Sequence, residues 1–223
     1  MAVFLLKDPD AVFIHIPKTA GRSIRVGAWD GRYEGPARGY IPQDWDGYFK
    51  FAFVRDPLKR LVSAWRMFSD GRVDVPRKDR KGLLSLLRIN RTVSESHRPL
   101  FPELTIAEFM DIAEDETIGL DDRTPGKTKR RSVLRTHAVP QTHPHNLIDR
   151  ADYIGRFEQI DAEMEKIGER LGARLVLPHT NKTTQQADWR SQLTPALYDR
   201  IVEYYRADFE RFDYPIRRFD QLG

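Results

Sequence analysis

The chain has 223 residues, 40% of them hydrophobic and 31% charged, a balance that excludes disorder and fibrous repeats and suits one domain over 1–223. Its 37 Lys and Arg against 33 Asp and Glu leave a formal net charge of +4, a mild excess that fits the handling of anions and does not by itself indicate nucleic acid. There is no cysteine, so disulfides and thiolate–metal centres are excluded.

The first predicted element is a strand over 11–16, where Val12, Phe13, Ile14 and Ile16 give the near-continuous apolar run of a strand buried on both faces. Pro17 ends it. Lys18, Thr19, Ala20 and Gly21 make a tight loop, and Ser23 to Val26 opens a helix, so the order is strand, loop, helix. Residues 27–47, rich in Gly, Pro, Asp and aromatics, read mostly as loop. A second strand is expected over 48–54. Asp56 and Pro57 then suit an N-cap and a first helical position, and Leu58, Leu61, Val62, Trp65 and Phe68 follow at helical spacing. Arg55 therefore stands at a strand end, immediately before a helix.

Residues 72–102 are charged and weakly periodic, with one short helix expected over 83–87. Thr105 and Glu108 form a capping box that starts a helix running to about Ala113. Residues 121–131 are polar and basic, with a turn at Pro125 and Gly126, and 137–145 hold three of the six histidines. A third strand is expected over 152–157. Ile160, Met164, Ile167 and Leu171 line one face of a helix that Gly172 closes, and 174–177 reads as a short strand. Thr194 and Pro195 start a final helix with Leu197, Ile201, Tyr204, Tyr205 and Phe209 on or near one face. Strands alternate with helices, without repeats or long linkers. The predicted fold class is α/β, a single domain with a mostly parallel central sheet flanked by helices.

No apolar run approaches the roughly 20 residues of a membrane span. The N-terminal stretch has no basic region and no small-residue cleavage pattern, so a cytoplasmic location is the expectation. Two basic groups stand out, Arg72, Arg77, Lys78, Arg80 and Lys81, and Lys127, Lys129, Arg130, Arg131 and Arg135. Each reads equally well as solvated loop surface or as an anion-facing patch.

Two segments carry chemistry. In Phe13 to Ser23, a loop between a strand and a helix turns backbone N–H groups toward an anion, and the helix dipole adds roughly half a positive charge. Lys18 supplies a mobile full charge; Thr19 and Ser23 supply hydroxyl donors. The segment is not a Walker A motif, whose lysine follows the second glycine, because Lys18 precedes Gly21. The alternative is a helix start with Lys18 as surface charge. In the second segment, residues 51–65, Arg55 and Ser63 can reach one anion beside a helix, and an arginine fork suits a phosphate monoester. The alternative there is Arg55 paired with Asp56 or with a helix terminus.

Together the segments resemble the two halves of the donor site in the sulfotransferase superfamily. More narrowly, they resemble the carbohydrate sulfotransferase family of the chondroitin 4-O and heparan 2-O type, with its bacterial relatives. His15-Ile16-Pro17-Lys18-Thr19-Ala20-Gly21 is similar to that family's P-loop-like 5′-phosphosulfate loop, and Val54-Arg55-Asp56-Pro57 through Ser63 to its 3′-phosphate motif. Tyr153 to Glu158, Leu177-Pro178, Asn181-Lys182-Thr183 and the region 197–214 also look like the family.

The resemblance implies transfer of a sulfuryl group from 3′-phosphoadenosine-5′-phosphosulfate (PAPS) to an acceptor hydroxyl, on a carbohydrate, with release of 3′-phosphoadenosine-5′-phosphate (PAP). It implies that Lys18 contacts the 5′-phosphosulfate and stabilises charge on the bridging oxygen. Thr19, Ala20, Gly21, Arg22 and Ser23 would hold the 5′-phosphate, and Arg55 and Ser63 the 3′-phosphate. It implies no metal and no nucleic-acid partner. The acceptor can be an oligosaccharide, a polysaccharide, a glycolipid or a small metabolite, and 71–135 would be a variable insert shaping its cleft.

Arg22 stands where many relatives carry a small hydroxyl residue; it either adds charge beside the phosphate or points to solvent. His137, in a stretch resembling a His-containing stretch of the family, is the candidate general base. The alternatives are a purely structural His137, or Asp44 or Asp46 as base. His143 and His145 fit surface loop better than a metal pair, and His15 fits packing at a strand end. Two other readings compete: a P-loop kinase, and a non-catalytic module for anionic polymers on a degenerate transferase fold.

Overall fold

The computed structural model describes residues 2–69, 101, 103–121, 127–177 and 189–222, with side chains omitted for 127–129. Five strands form one sheet: β1 (Ala2–Leu6), β2 (Ala11–His15), β3 (Tyr33–Ala37), β4 (Lys50–Val54) and β5 (Tyr153–Arg156), in the order β3-β1-β2-β4-β5. The pairs β2–β4 and β4–β5 are parallel, whereas β1–β2 and β1–β3 are antiparallel. The sheet is thus mixed rather than mostly parallel. The apolar start, read from sequence only as the lack of a leader, pairs instead as the first strand of a hairpin with β2. The Lys18 loop accordingly follows the second strand, not the first.

The parallel strands alternate between two cores. Val12, Ile14, Ala52 and Val54 face one side. There they meet α1 (Pro57–Ser69), α2 (Ile106–Glu114), α3 (Lys127–Ala138), α5 (Pro195–Tyr204) and α6 (Arg206–Arg211). Ala11, Phe13, Phe51 and Phe53 face the other, against the π-helical turn Ser23–Ala28 and α4 (Ile160–Leu171). Each buried phenylalanine there is worth about 1.5–3 kcal/mol of hydrophobic free energy. Helices on both faces explain why β2 and β4 read as unbroken apolar runs.

Local chemistry sets the boundaries. Asp56 accepts from Lys59 N–H at 2.9 Å, the expected N-cap of α1. Thr105 and Glu108 close the expected capping box of α2. Gly172, at φ 63°, ends α4 in the left-handed region.

Three further expectations are corrected. β3 lies inside 27–47; as an edge strand it tolerates Gly35 and Pro36, which made it read as loop. Residues 174–177 form no strand: Leu175 and Leu177 are buried, but the segment pairs with no strand. The final helix breaks at Tyr205 into α5 and α6. The helix expected over 83–87, the turn at Pro125 and Gly126, the first basic group, and Asn181 to Thr183 lie outside the described residues. Within 71–135, Ile106, Phe109, Met110 and Ala113 of α2 are core residues.

Candidate active site

Parallel β2 and β4 end side by side, so Lys18 and Arg55 follow the carboxyl ends of neighbouring strands at the same end of the sheet. Lys18 and Ala20 both hold positive φ, 73° and 65°. For side chains with a Cβ this costs about 1–2 kcal/mol per residue, and strain of this kind gathers where a ligand must be met. The turn beginning at Gly21 follows directly, and Arg22 makes no capping hydrogen bond to it. The first N–H groups of such a turn lack intrahelical partners and suit an anion. Gly21 is required by packing: a Cβ there would lie 2.1 Å from His15 Nε2. His15 thus packs at the strand end, as expected, and burial and Arg25 depress its pKa to about 3.

The loop's side chains divide. Thr19 is fully buried and its hydroxyl donates to Ile16 O at 2.8 Å, so that proton serves the loop itself. Ser23 begins the π-helical turn, Arg22 is half-buried beside it, and Ser63 is half-buried on α1, one turn beyond Lys59. Burial, followed by the charge of Arg55, pulls the pKa of Lys18 down to about 8.

Arg55 is held from several directions. Its guanidinium carbon sits 4.4 Å from the centre of the Phe157 ring, and Nη1 donates to Lys18 O at 3.4 Å. Nε is buried with no partner among the described residues. Burial lowers the pKa of the guanidinium, against the raising influence of Glu158 and Asp56. Asp56 offers its side chain to α1, while Glu158 accepts from Asp56 N–H at 2.9 Å. The sequence alternative of Arg55 paired with Asp56 is therefore not the arrangement found.

His137 lies in the last turn of α3, not in a loop. Nδ1 is 2.8 Å from Val133 O, which places the proton of a neutral ring on Nδ1 and the lone pair on Nε2. The ring meets Phe68 edge-on at 5.2 Å, and burial holds its pKa down to about 4, with Lys18 and Arg60 adding in the same sense. Besides burial, the charge of Lys18 acts on both His15 and His137, lowering the pKa of each ring.

Sequence reasoning gave Arg60 no role, yet it joins the parts. Fully buried, it donates to Pro17 O at 3.4 Å, His137 O at 3.2 Å and Ala138 O at 3.2 Å, and also to Val139 O. It so caps the C-terminus of α3, where carbonyls lack helical partners and the dipole favours a cation. The available signal was its position on the apolar face of α1, among Leu61, Ala64 and Trp65.

The other candidates lie apart. Asp44 and Asp46 are exposed, before the start of β4, at the end of the sheet opposite Lys18, and Asp46 pairs with Arg150 at 3.1 Å. His145 Nε2 pairs with Asp121 at 2.9 Å, and His143 accepts from His145 N–H; no metal-binding cluster occurs among the described residues. Of the second basic group, Arg130 and Arg131 are exposed, while Arg135 is buried and donates to Ala113 O and Ile118 O. No helix among the described residues is long and apolar enough to cross a membrane.

A strand–loop–helix unit and a second strand bearing arginine thus meet at the carboxyl ends of two parallel strands, the place where α/β sheets generally receive ligands. The sulfotransferase family model matches residues 31–215, a span that includes Arg55 and Ser63 and begins after the Lys18 loop, and the chain belongs to that family. It is similar to carbohydrate sulfotransferase 14 of Mus musculus, 28% identical over 182 residues, covering 76% of this chain and 43% of the relative. Carbohydrate sulfotransferase 14 of Homo sapiens is 27% identical over the same shares, and carbohydrate sulfotransferase 12 of Mus musculus 28% identical over 75% of this chain and 40% of its own. The chain thus spans about two fifths of the length of these relatives. No solved structure matches.

Proposed function

We propose that the protein transfers a sulfuryl group from PAPS to a carbohydrate hydroxyl and releases PAP. The observation that carries this reading is the placement of Lys18 and Arg55 after adjacent strand ends, with Arg55 Nε buried and without a partner among the described residues. A buried donor of that kind costs free energy until an acceptor meets it. Family membership and the carbohydrate sulfotransferases among the relatives support both the reaction and the acceptor class.

In this reading the backbone N–H groups of 19–23 hold the 5′-phosphate of the donor, and Arg55 with Ser63 holds its 3′-phosphate. The acceptor hydroxyl gives its proton to Nε2 of His137 as its oxygen bonds to sulfur. The bond from sulfur to the 5′-phosphate oxygen breaks, and the Lys18 ammonium meets the charge that collects on that oxygen. A neutral His137 with its lone pair on Nε2 suits that task.

The test is a thermal-shift titration with PAP beside ADP and AMP, on the wild type and Arg55→Ala. At 100 times Kd, binding adds about 2.7 kcal/mol to stability. Stabilisation by PAP above the other nucleotides, lost in Arg55→Ala, supports the reading. No stabilisation by PAP rejects it in favour of a non-catalytic anion-binding module.

A further inference from the structure

The residue after β4 is held by a side chain rather than by a strand. Arg55 N–H donates to Gln141 Oε1 at 2.8 Å, and Gln141 Nε2 donates to Arg55 O at 2.9 Å. One carboxamide so supplies both hydrogen bonds that a neighbouring strand would have made, and extends the β4 ladder by one rung. A carboxamide carries a donor and an acceptor side by side without needing a change of protonation state.

Gln141 is in turn fixed from behind. It is fully buried, as is Asp208 of α6. Asp208 accepts from Gln141 N–H at 2.7 Å, Gln141 Nε2 at 3.3 Å, and the Thr142 N–H and hydroxyl, both at 2.8 Å. Four donors thus converge on one carboxylate, and the orientation of the carboxamide is set. With Phe157 against the face of the guanidinium, the backbone and the plane of Arg55 are both determined before any ligand arrives.

We infer that Gln141, locked by Asp208, is the positioning residue that aims Arg55 and thereby sets the preference of this site for a nucleotide with a 3′-phosphate. The inference rests on the proposed donor site, and deepens it. Gln141 touches no ligand in this account; it acts through the main chain of Arg55.

Calorimetric titration of PAP and of AMP, which lacks the 3′-phosphate, provides the test on the wild type, Gln141→Met, Arg55→Ala and the double variant. Loss of two hydrogen bonds of ordinary strength predicts roughly tenfold weaker PAP binding in Gln141→Met. AMP binding stays the same, and the double variant binds PAP no worse than Arg55→Ala. Should Gln141→Met not fold, Gln141→Asn, whose carboxamide stops one methylene short, reads the same preference. An unchanged preference in a folded variant, or equal losses for PAP and AMP, overturns the inference while leaving the donor site standing. A wild type that does not bind PAP overturns both.

Discussion

Arg60 donates from one guanidinium nitrogen to Pro17 O, 3.4 Å away, and to His137 O, 3.2 Å away. The residue before Lys18 and the proposed base are thereby pinned to one buried charge. Arg60→Met would leave these carbonyls and those of Ala138 and Val139 without their donor. The expected loss is about 3 kcal/mol, read as a lower urea midpoint at unchanged slope. Arg60→Lys should recover less than half of it, since an ammonium cannot span the four acceptors.

The proposed contact of Lys18 with the donor predicts binding that depends on pH in the alkaline range. With its pKa lowered from 10.5 to about 8, the free protein keeps the ammonium below that pH and loses it above. A bound phosphate favours the ammonium, so PAP binding should take up a proton at pH 9 and weaken as pH rises through 8. In the free protein the same group makes stability rise between pH 8 and 10.5, because the unfolded chain holds its proton longer. Calorimetry at pH 9 in two buffers of different ionisation heat measures the uptake. It should vanish in Lys18→Met; its absence in the wild type would show that Lys18 does not face the ligand.

With His137 as the proposed base, the acid side of the rate profile follows from its pKa. Held at a pKa of about 4, it stays a neutral base well below the usual histidine range. The kcat profile for sulfuryl transfer should therefore remain flat from neutrality to about pH 5, rather than fall near 6.5. His137→Gln should lower kcat about 100- to 10,000-fold with PAP affinity unchanged. A fall in kcat centred at 6.5 would point to another base.

Gly21→Ala places its methyl against His15, with Cβ 2.1 Å from Nε2. A crowded core of this kind costs about 1–3 kcal/mol. The melting temperature should drop and recover in part when His15→Ala is added, which opens the space. An equal drop with and without His15 would locate the strain in the backbone instead.

The strands that the sequence shows best are β2 and β4, buried on both faces, which fall within residues 11–16 and 48–54; β5, half-buried at the sheet edge, falls within 152–157. β1 is equally apolar, but nothing local says that it folds back on β2. β3 carries Gly35 and Pro36, and only its place at the sheet edge makes these acceptable. Within the site, Lys18 and Arg55 are visible because a strand-to-helix junction is a local pattern. Gln141 is not, since its partners lie 86 and 67 residues away in sequence. The same holds for Arg60, whose carbonyl partners on α3 are 77 to 79 residues distant.

The pairing of β2 with β4 runs Val12 to Lys50, Phe13 to Phe51 and Ile14 to Ala52. Neighbouring strands in such a ladder lie about 4.8 Å apart and do not stretch. The two strand ends therefore act as the jaws of a fixed caliper. On the proposed reading, the spacing of the two anions met by the Lys18 loop and Arg55 is gauged by backbone hydrogen bonds, so altering the surface loops can change what approaches the site without resetting its gauge.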